Sequence, residues 1–178
     1  MTDPAPRPPT TGPVGAVDVH YRPDGSATAA LVVGRDRSFA QVVSEHVARV
    51  ADVAPYVPGR LADRELPCLR AVLALGPRLS LLVVDGYATL APSGRPGLGA
   101  HAAAAFGIPV VGVAKTAFAG ATHAVEVRRR RATRPLYVTS AGGLPIDEAA
   151  TMVAEMAGSH RIPDPLSRVD RLARTRHQ

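Results

Sequence analysis

Three carboxylates and one lysine stand where ordinary surface chemistry does not explain them. Asp18 interrupts the apolar run AVDVHY between Val17 and Val19, and Asp85 closes LSLLVVD after five apolar residues in six. An ionised carboxylate beside such runs is costly unless a cation or hydrogen-bond donors hold it. Glu65, in LADRELP, is a third candidate. Taken singly, Asp85 reads as a strand-end cap and Glu65 as a surface partner of Arg64 or Arg60. Asp18 has no such plain reading, because a central strand has little use for an unpaired acid. Lys115, at the end of IPVVGVAK, is the only lysine in a chain with twenty arginines. It is a compact point charge rather than a planar fork. Acids on a first strand, a linking helix and the end of the next buried strand meet at one sheet edge. Their hard oxygens suit Mg²⁺ or Mn²⁺ rather than zinc. Such a metal binds phosphate oxygens, activates water and offsets charge in an in-line displacement, two-metal sites spacing the ions about 3.5–4 Å apart. A lysine at the following strand end faces the same edge, where it steadies a phosphate or orients the attacking water.

The elements that must position these groups follow from local pattern. VGAVDVHY (14–21) and SATAALVVG (26–34) are β-rich runs separated by Arg-Pro-Asp-Gly, which is hairpin chemistry. Residues 38–53 fit a helical stripe about as well as a strand, and the preceding hairpin favours a third antiparallel strand. GRLADRELPCLRAVLALG (59–76) has apolar residues at helical spacing and a Gly-Pro stop, with Pro67 implying a kink or a late start. RLSLLVVDG (78–86) is a buried strand, expected parallel to its neighbours. A short Ala-rich helix (98–107), the strand ending at Lys115, a basic strand or hairpin edge (124–135), LYVTS (136–140) and an acid-opened helix (145–158) complete the chain, with one more short helix in the tail. The expected fold is one mixed α/β sheet, antiparallel at first and then parallel, flanked by helices.

Composition bounds the rest. The 178 residues are enough for one domain with a sizeable core, with 46% hydrophobic and 20% charged residues. Residues 1–13 read as a disordered Pro-rich tail and 14–178 as the single domain. The lone Cys68 leaves no internal disulfide and no cysteine-based zinc cluster, and lies in an apolar helical pattern as a core thiol. No apolar stretch is long enough for a membrane span and no signal peptide is visible, so a cytoplasmic protein is expected. The net charge of +6 favours a polyanionic partner, as does the Arg128–Arg131 run, which otherwise reads as a solvated face. No heptad or obvious patch encodes oligomerisation, and a monomer is expected.

VDVHY, PYVPGRLADRELP, LLVVDG and IPVVGVAKT, in this order and spacing, resemble the endonuclease V family of ribonuclease H-like fold. The similarity runs from about Val14 to Arg171. The resemblance implies that Asp18, Glu65 and Asp85 are metal-binding and catalytic acids and that Lys115 is the active-site lysine. It implies that Pro55, Tyr56, Val57 and Pro58 are a wedge entering the nucleic acid at the lesion, and that Leu61 and Gly86 lie at the base pocket. A Pro-flanked aromatic suits that task, since it replaces a stacking partner when a base is flipped out. Without the resemblance, Tyr56 reads as a turn aromatic packed on its neighbours. The implied activity is Mg²⁺-dependent (or Mn²⁺-dependent) hydrolysis of a phosphodiester one nucleotide 3′ of inosine or deoxyinosine, in DNA or RNA.

The chain departs from the family pattern in the loop after Asp85, where Ala91-Pro92-Ser93 also stands for His-Pro-Arg with about one residue inserted before Gly97, and at Gly142. Asp-Gly-His-Gly becomes Asp85-Gly86-Tyr87-Ala88, which puts a Cβ where a glycine backbone approaches the base. A family histidine expected to assist the metal falls on Gly142. His101 matches a family histidine and is expected to bridge helix and sheet without a catalytic role. The departures support an alternative, a nucleic-acid-binding relative whose lesion cleavage is lost or altered. A hydrolase or transferase for a small phosphate substrate is a third reading, disfavoured by the positive charge and the wedge.

Overall fold

The computed structural model describes residues 11–175. The expected N-terminal tail falls mostly on residues 1–10, outside the described residues. Immediately after them the backbone is already tied down, with the Ser80 amide donating to the Pro13 carbonyl at 2.9 Å and its hydroxyl to Gly12 at 3.1 Å.

Seven strands form one sheet in the order β3-β2-β1-β4-β5-β7-β6. The first three are β1 (Val14–Tyr21), β2 (Ala27–Gly34) and β3 (Val42–Val50), paired antiparallel as a meander. The segment 38–53 therefore contributes a strand, as the preceding hairpin demands. Helix α1 (Leu61–Leu73) crosses over to β4 (Leu81–Asp85), which lies parallel to β1. Helix α2 (Leu98–Phe106) leads in turn to β5 (Val110–Ala114), parallel to β4. The sheet then turns antiparallel again: β6 (Val125–Val127) and β7 (Leu136–Ala141) form a hairpin whose second strand returns along β5. The parallel strands of the expected mixed sheet are β1, β4 and β5. Helices α3 (Ile146–Glu155) and α4 (Asp164–Arg174) follow.

Side-chain alternation along the strands makes two cores. Val14 and Ala16 of β1, Val32 of β2 and Leu81 and Val83 of β4 pack with Met152, Val153, Leu166 and Val169 of α3 and α4. Val17, Leu31, Leu82 and Val84 pack on the other face with Cys68, Leu69 and Val72 of α1 and Ala102 of α2. All eight residues of β2 are buried, because helices cover both faces there. Burying each leucine such as Leu31 or Leu82 contributes roughly 1.5–3 kcal/mol. Helix α1 starts at Leu61 and continues through Pro67, so no late start occurs. Proline leaves the Asp63 carbonyl without its intrahelical donor. Both residues are exposed, so that carbonyl lies at the surface.

The arginine run in the β6–β7 connection is not a uniform solvated face. Arg128, Arg130 and Arg131 are exposed, whereas Arg129 is fully buried. Its guanidinium donates to the carbonyls of His160 at 2.7 Å, Gly158 at 3.2 Å and Met156. These carbonyls belong to the turn between α3 and α4, which Arg129 pins against the hairpin.

Candidate active site

Parallel pairing of β1 with β4 sets Val17 beside Val84, so Asp18 and Asp85 lie side by side where the apolar ladder ends. Pairing of β4 with β5 sets Asp85 beside Val113, and Lys115 lies two residues on, toward the same face. Its ammonium reaches back to Asp85 Oδ2 at 2.6 Å. Glu65, in the second turn of α1, comes from the other face of the sheet. Asp18, Glu65 and Asp85 line a single cleft walled by Val17, Val19, Leu69, Val84 and Leu98. The structure therefore brings together all four groups that sequence chemistry singled out. Glu65 makes no ion pair with Arg60, which binds Asp63 at 2.7 Å instead.

Electrostatics in the cleft follow from apolar walls and like charge. Burial, then the Asp85 charge, pushes the Asp18 carboxyl up to about 6. Burial, then Asp18 and Asp85, pushes Glu65 up to about 7. Lys115 neutralises Asp85, and no cationic side chain touches the other two as closely. Two strained carboxylates beside a neutralised third are a donor set short of positive charge, and their hard oxygens fit a divalent cation. Among the described residues no three His, Cys, Asp or Glu side chains are arranged to hold a metal ion as they stand.

The cleft has a fourth acid that sequence reasoning missed. Asp170 of α4 stands next to Asp18 and helps to raise its pKa, and it accepts from Arg174 Nε at 2.9 Å. Leu166, Val169 and Ala173 form the buried stripe of α4, and Asp170 sits on that stripe. An acid on the apolar face of a short amphipathic helix was the available signal. Beneath Glu65, the Tyr21 ring lies under the Arg64 guanidinium, 3.6 Å from its centroid. Burial and the Glu65 charge drive the Tyr21 phenol far above its ordinary range, so it stays protonated.

The residues expected to meet a nucleic acid are presented outward. Tyr56 is 62% exposed, and Val57 and Leu61 project beside it at the start of α1. Tyr56 is not packed on its neighbours as an ordinary turn aromatic would be. Gly86 turns the chain away from β4 at φ +122°. The Ala88 methyl does not enter the cleft: Ala88 is fully buried against Gly99 of α2, and its amide donates to Thr139 Oγ1 at 2.8 Å. The methyl is thus turned into the protein interior, away from the acids. Gly142 also lies away from the acids, at φ +75° over Ile108 and Pro109, at the opposite end of β5 from Lys115. A histidine there would face those backbones, not the carboxylates, so its loss does not open the acidic cluster. His101 is exposed and has no bridging role.

A mixed sheet of this order, with acids at the ends of its central strands, defines the ribonuclease H-like class. The family model for endonuclease V matches residues 3–127. Endonuclease V of Azotobacter vinelandii is 31% identical over 94% of this chain and 85% of its own. That of Streptomyces avermitilis is 34% identical over 98% of this chain and 84% of its own. The S. avermitilis crystal structure superposes with a TM-score of 0.82 at 31% identity, covering 94% of this chain and 82% of that one. Human ENDOV superposes at 0.76 with 29% identity, over 92% and 83%. The chain belongs to the endonuclease V family. Ciona intestinalis endonuclease V, at 18% identity and a TM-score of 0.77, shares the fold. No helix among the described residues is long and apolar enough to cross a membrane.

Proposed function

We propose that this protein is a divalent-metal-dependent endonuclease that hydrolyses a phosphodiester 3′ of inosine or deoxyinosine in DNA or RNA. One observation carries the reading: Asp18, Glu65 and Asp85 line one cleft, with Asp170 at its edge and Lys115 on Asp85. The Ciona relative was crystallised with a 23mer DNA containing an inosine followed by a ribo-adenosine, which supports the substrate class. Asp18, Glu65 and Asp85 would hold Mg²⁺ or Mn²⁺, which when bound lowers the pKa of water and screens the phosphate's charge. Lys115 holds a positive charge at the cleft beside Asp85, where it orients the phosphate. Tyr56 and its flanking prolines fill the gap left by an extruded base, while Leu61 and Gly86 border the pocket that receives it. The exposed arginines of the β6–β7 connection contact phosphates without reading sequence. A cytoplasmic monomer suffices for this chemistry.

The second reading, a binding protein without cleavage, loses its main support because Ala88 and Gly142 lie away from the cleft. The test is cleavage of end-labelled oligonucleotides with a single inosine, as single- and double-stranded DNA and RNA, in Mg²⁺ or Mn²⁺. A cut one nucleotide 3′ of inosine, lost in Asp85→Asn, is expected. Salt-sensitive binding with no cut on any of the four would favour the second reading.

A further inference from the structure

Lys115 lies just past the end of β5, where no strand ladder holds its backbone. Two side chains take over that task. Tyr87 donates its hydroxyl to the Thr116 carbonyl at 2.7 Å, and Arg161 donates to the Lys115 carbonyl at 2.5 Å. We propose that Tyr87 is a positioning residue, its hydroxyl locking the Lys115–Thr116 backbone so that the Lys115 ammonium stays on Asp85. The role rests on the nuclease reading for its consequence in catalysis, but its geometry stands apart from that reading.

A strut must itself be rigid, and Tyr87 hangs from a fixed loop. On one side the Gly86 amide donates to Val113 at 2.9 Å. On the other, Ala88 is buried and held by Thr139. A Cβ on Gly112 of β5 would collide with the Ala88 amide, and would lie 2.7 Å from the Gly86 carbonyl and 2.8 Å from Thr139 Oγ1. The loop thus lies directly on β5. The Tyr87 ring is braced by Phe118, centroids 6.0 Å apart. Thr89 and His123 join the same two loops again at 2.7 Å. Tyr87 and Ala88 are the two departures from the Asp-Gly-His-Gly pattern, and they act as a pair: the buried methyl anchors the loop that aims the phenol. Arg161 holds the segment from the far side, donating also to the Pro135 carbonyl at 2.7 Å and the Arg134 carbonyl at 3.2 Å. A free lysine side chain has about 2 kcal/mol of rotamer entropy, so a mobile backbone beneath it would leave the charge spread over many positions.

The chain has one lysine, so lysine labelled with ¹³C at Cε reports on Lys115 alone. In the full-length wild-type protein, metal-free and at one pH, a fixed Lys115 shows two resolved ε-proton resonances. In Tyr87→Phe they merge toward the single averaged signal of a mobile lysine. With inosine-containing oligonucleotide, kcat falls about tenfold and KM changes less than twofold, since misplacement of a reacting group acts on the chemical step. Phe118→Leu removes the ring contact but keeps the hydroxyl, and moves both readouts less than Tyr87→Phe does. A single averaged wild-type signal overturns the proposal without any variant, as does a Tyr87→Phe spectrum that keeps the resolved pair. If the wild type cleaves no inosine substrate, the nuclease reading fails while the resonances still decide the latch.

Discussion

Burial and then the Asp85 charge raise the Asp18 carboxyl to about 6, and burial and then the Asp18 and Asp85 charges raise Glu65 to about 7. A carboxylate whose folded pKa lies above its unfolded value contributes stability that is fully present below about pH 4 and is lost as pH rises through the folded pKa. The metal-free protein should therefore lose stability between about pH 4 and pH 7. Asp18→Asn should raise its melting temperature at pH 8 in chelator and have little effect at pH 4. A wild-type midpoint in chelator that is flat across this range would contradict the electrostatic account. The same protons compete with a cation, so Mn²⁺ affinity, read by calorimetry, should rise steeply from pH 5 to pH 8 and release protons. Asp85→Asn, and separately Glu65→Gln, should lower cleavage by at least about a hundredfold if these carboxylates hold the metal that supports hydrolysis. An active Glu65→Gln protein would remove Glu65 from the site.

Among the elements, the connections carry more of the function than the strands do. The turn between α3 and α4 is held by the buried Arg129, and α4 carries Asp170 to the cleft. Arg129→Met should destabilise the fold by about 3 kcal/mol, because it removes the donors of the buried Met156 carbonyl and of the Gly158 and His160 carbonyls beside it. Urea denaturation measures this, and a loss below about 1 kcal/mol would show that water replaces the guanidinium. The segment 55–58 behaves oppositely. Tyr56 is exposed and buries little in the fold, so Tyr56→Ala should leave the urea midpoint unchanged. Its effect should appear in cleavage of double-stranded inosine substrate and be smaller on single strands, where no stacking partner has to be replaced. Equal effects on both would argue against a wedge.

For the molecule as a whole, the +6 net charge makes nucleic-acid binding sensitive to salt, since each neutralised phosphate releases counterions. Arg129 cannot contribute, being buried, whereas Arg128, Arg130 and Arg131 can. Arg131→Gln should reduce the slope of log affinity against log salt by about one if it meets a phosphate. An unchanged slope would place the nucleic acid elsewhere.

Much of this architecture is legible in residue order alone. Val17 and Val84 flank acids that a buried strand does not otherwise tolerate, and the lone Lys115 at a strand end needs no neighbour to look unusual. Local pattern reveals such groups because apolar runs and turn chemistry are short-range. Residue order also carried the family motifs, and with them Tyr56 and Leu61. What it did not contain was distance across the chain. Asp170 lies more than a hundred residues from Asp18, and only the packing of α4 on β1 and β2 makes them neighbours. The direction in which Ala88 places its methyl, the burial of Arg129 among carbonyls and the irrelevance of Gly142 to the cleft all depend on long-range contacts. A side chain's partner is set by which elements are pressed together. A sequence shows which residues are able to do chemistry, and the folded sheet selects those that meet.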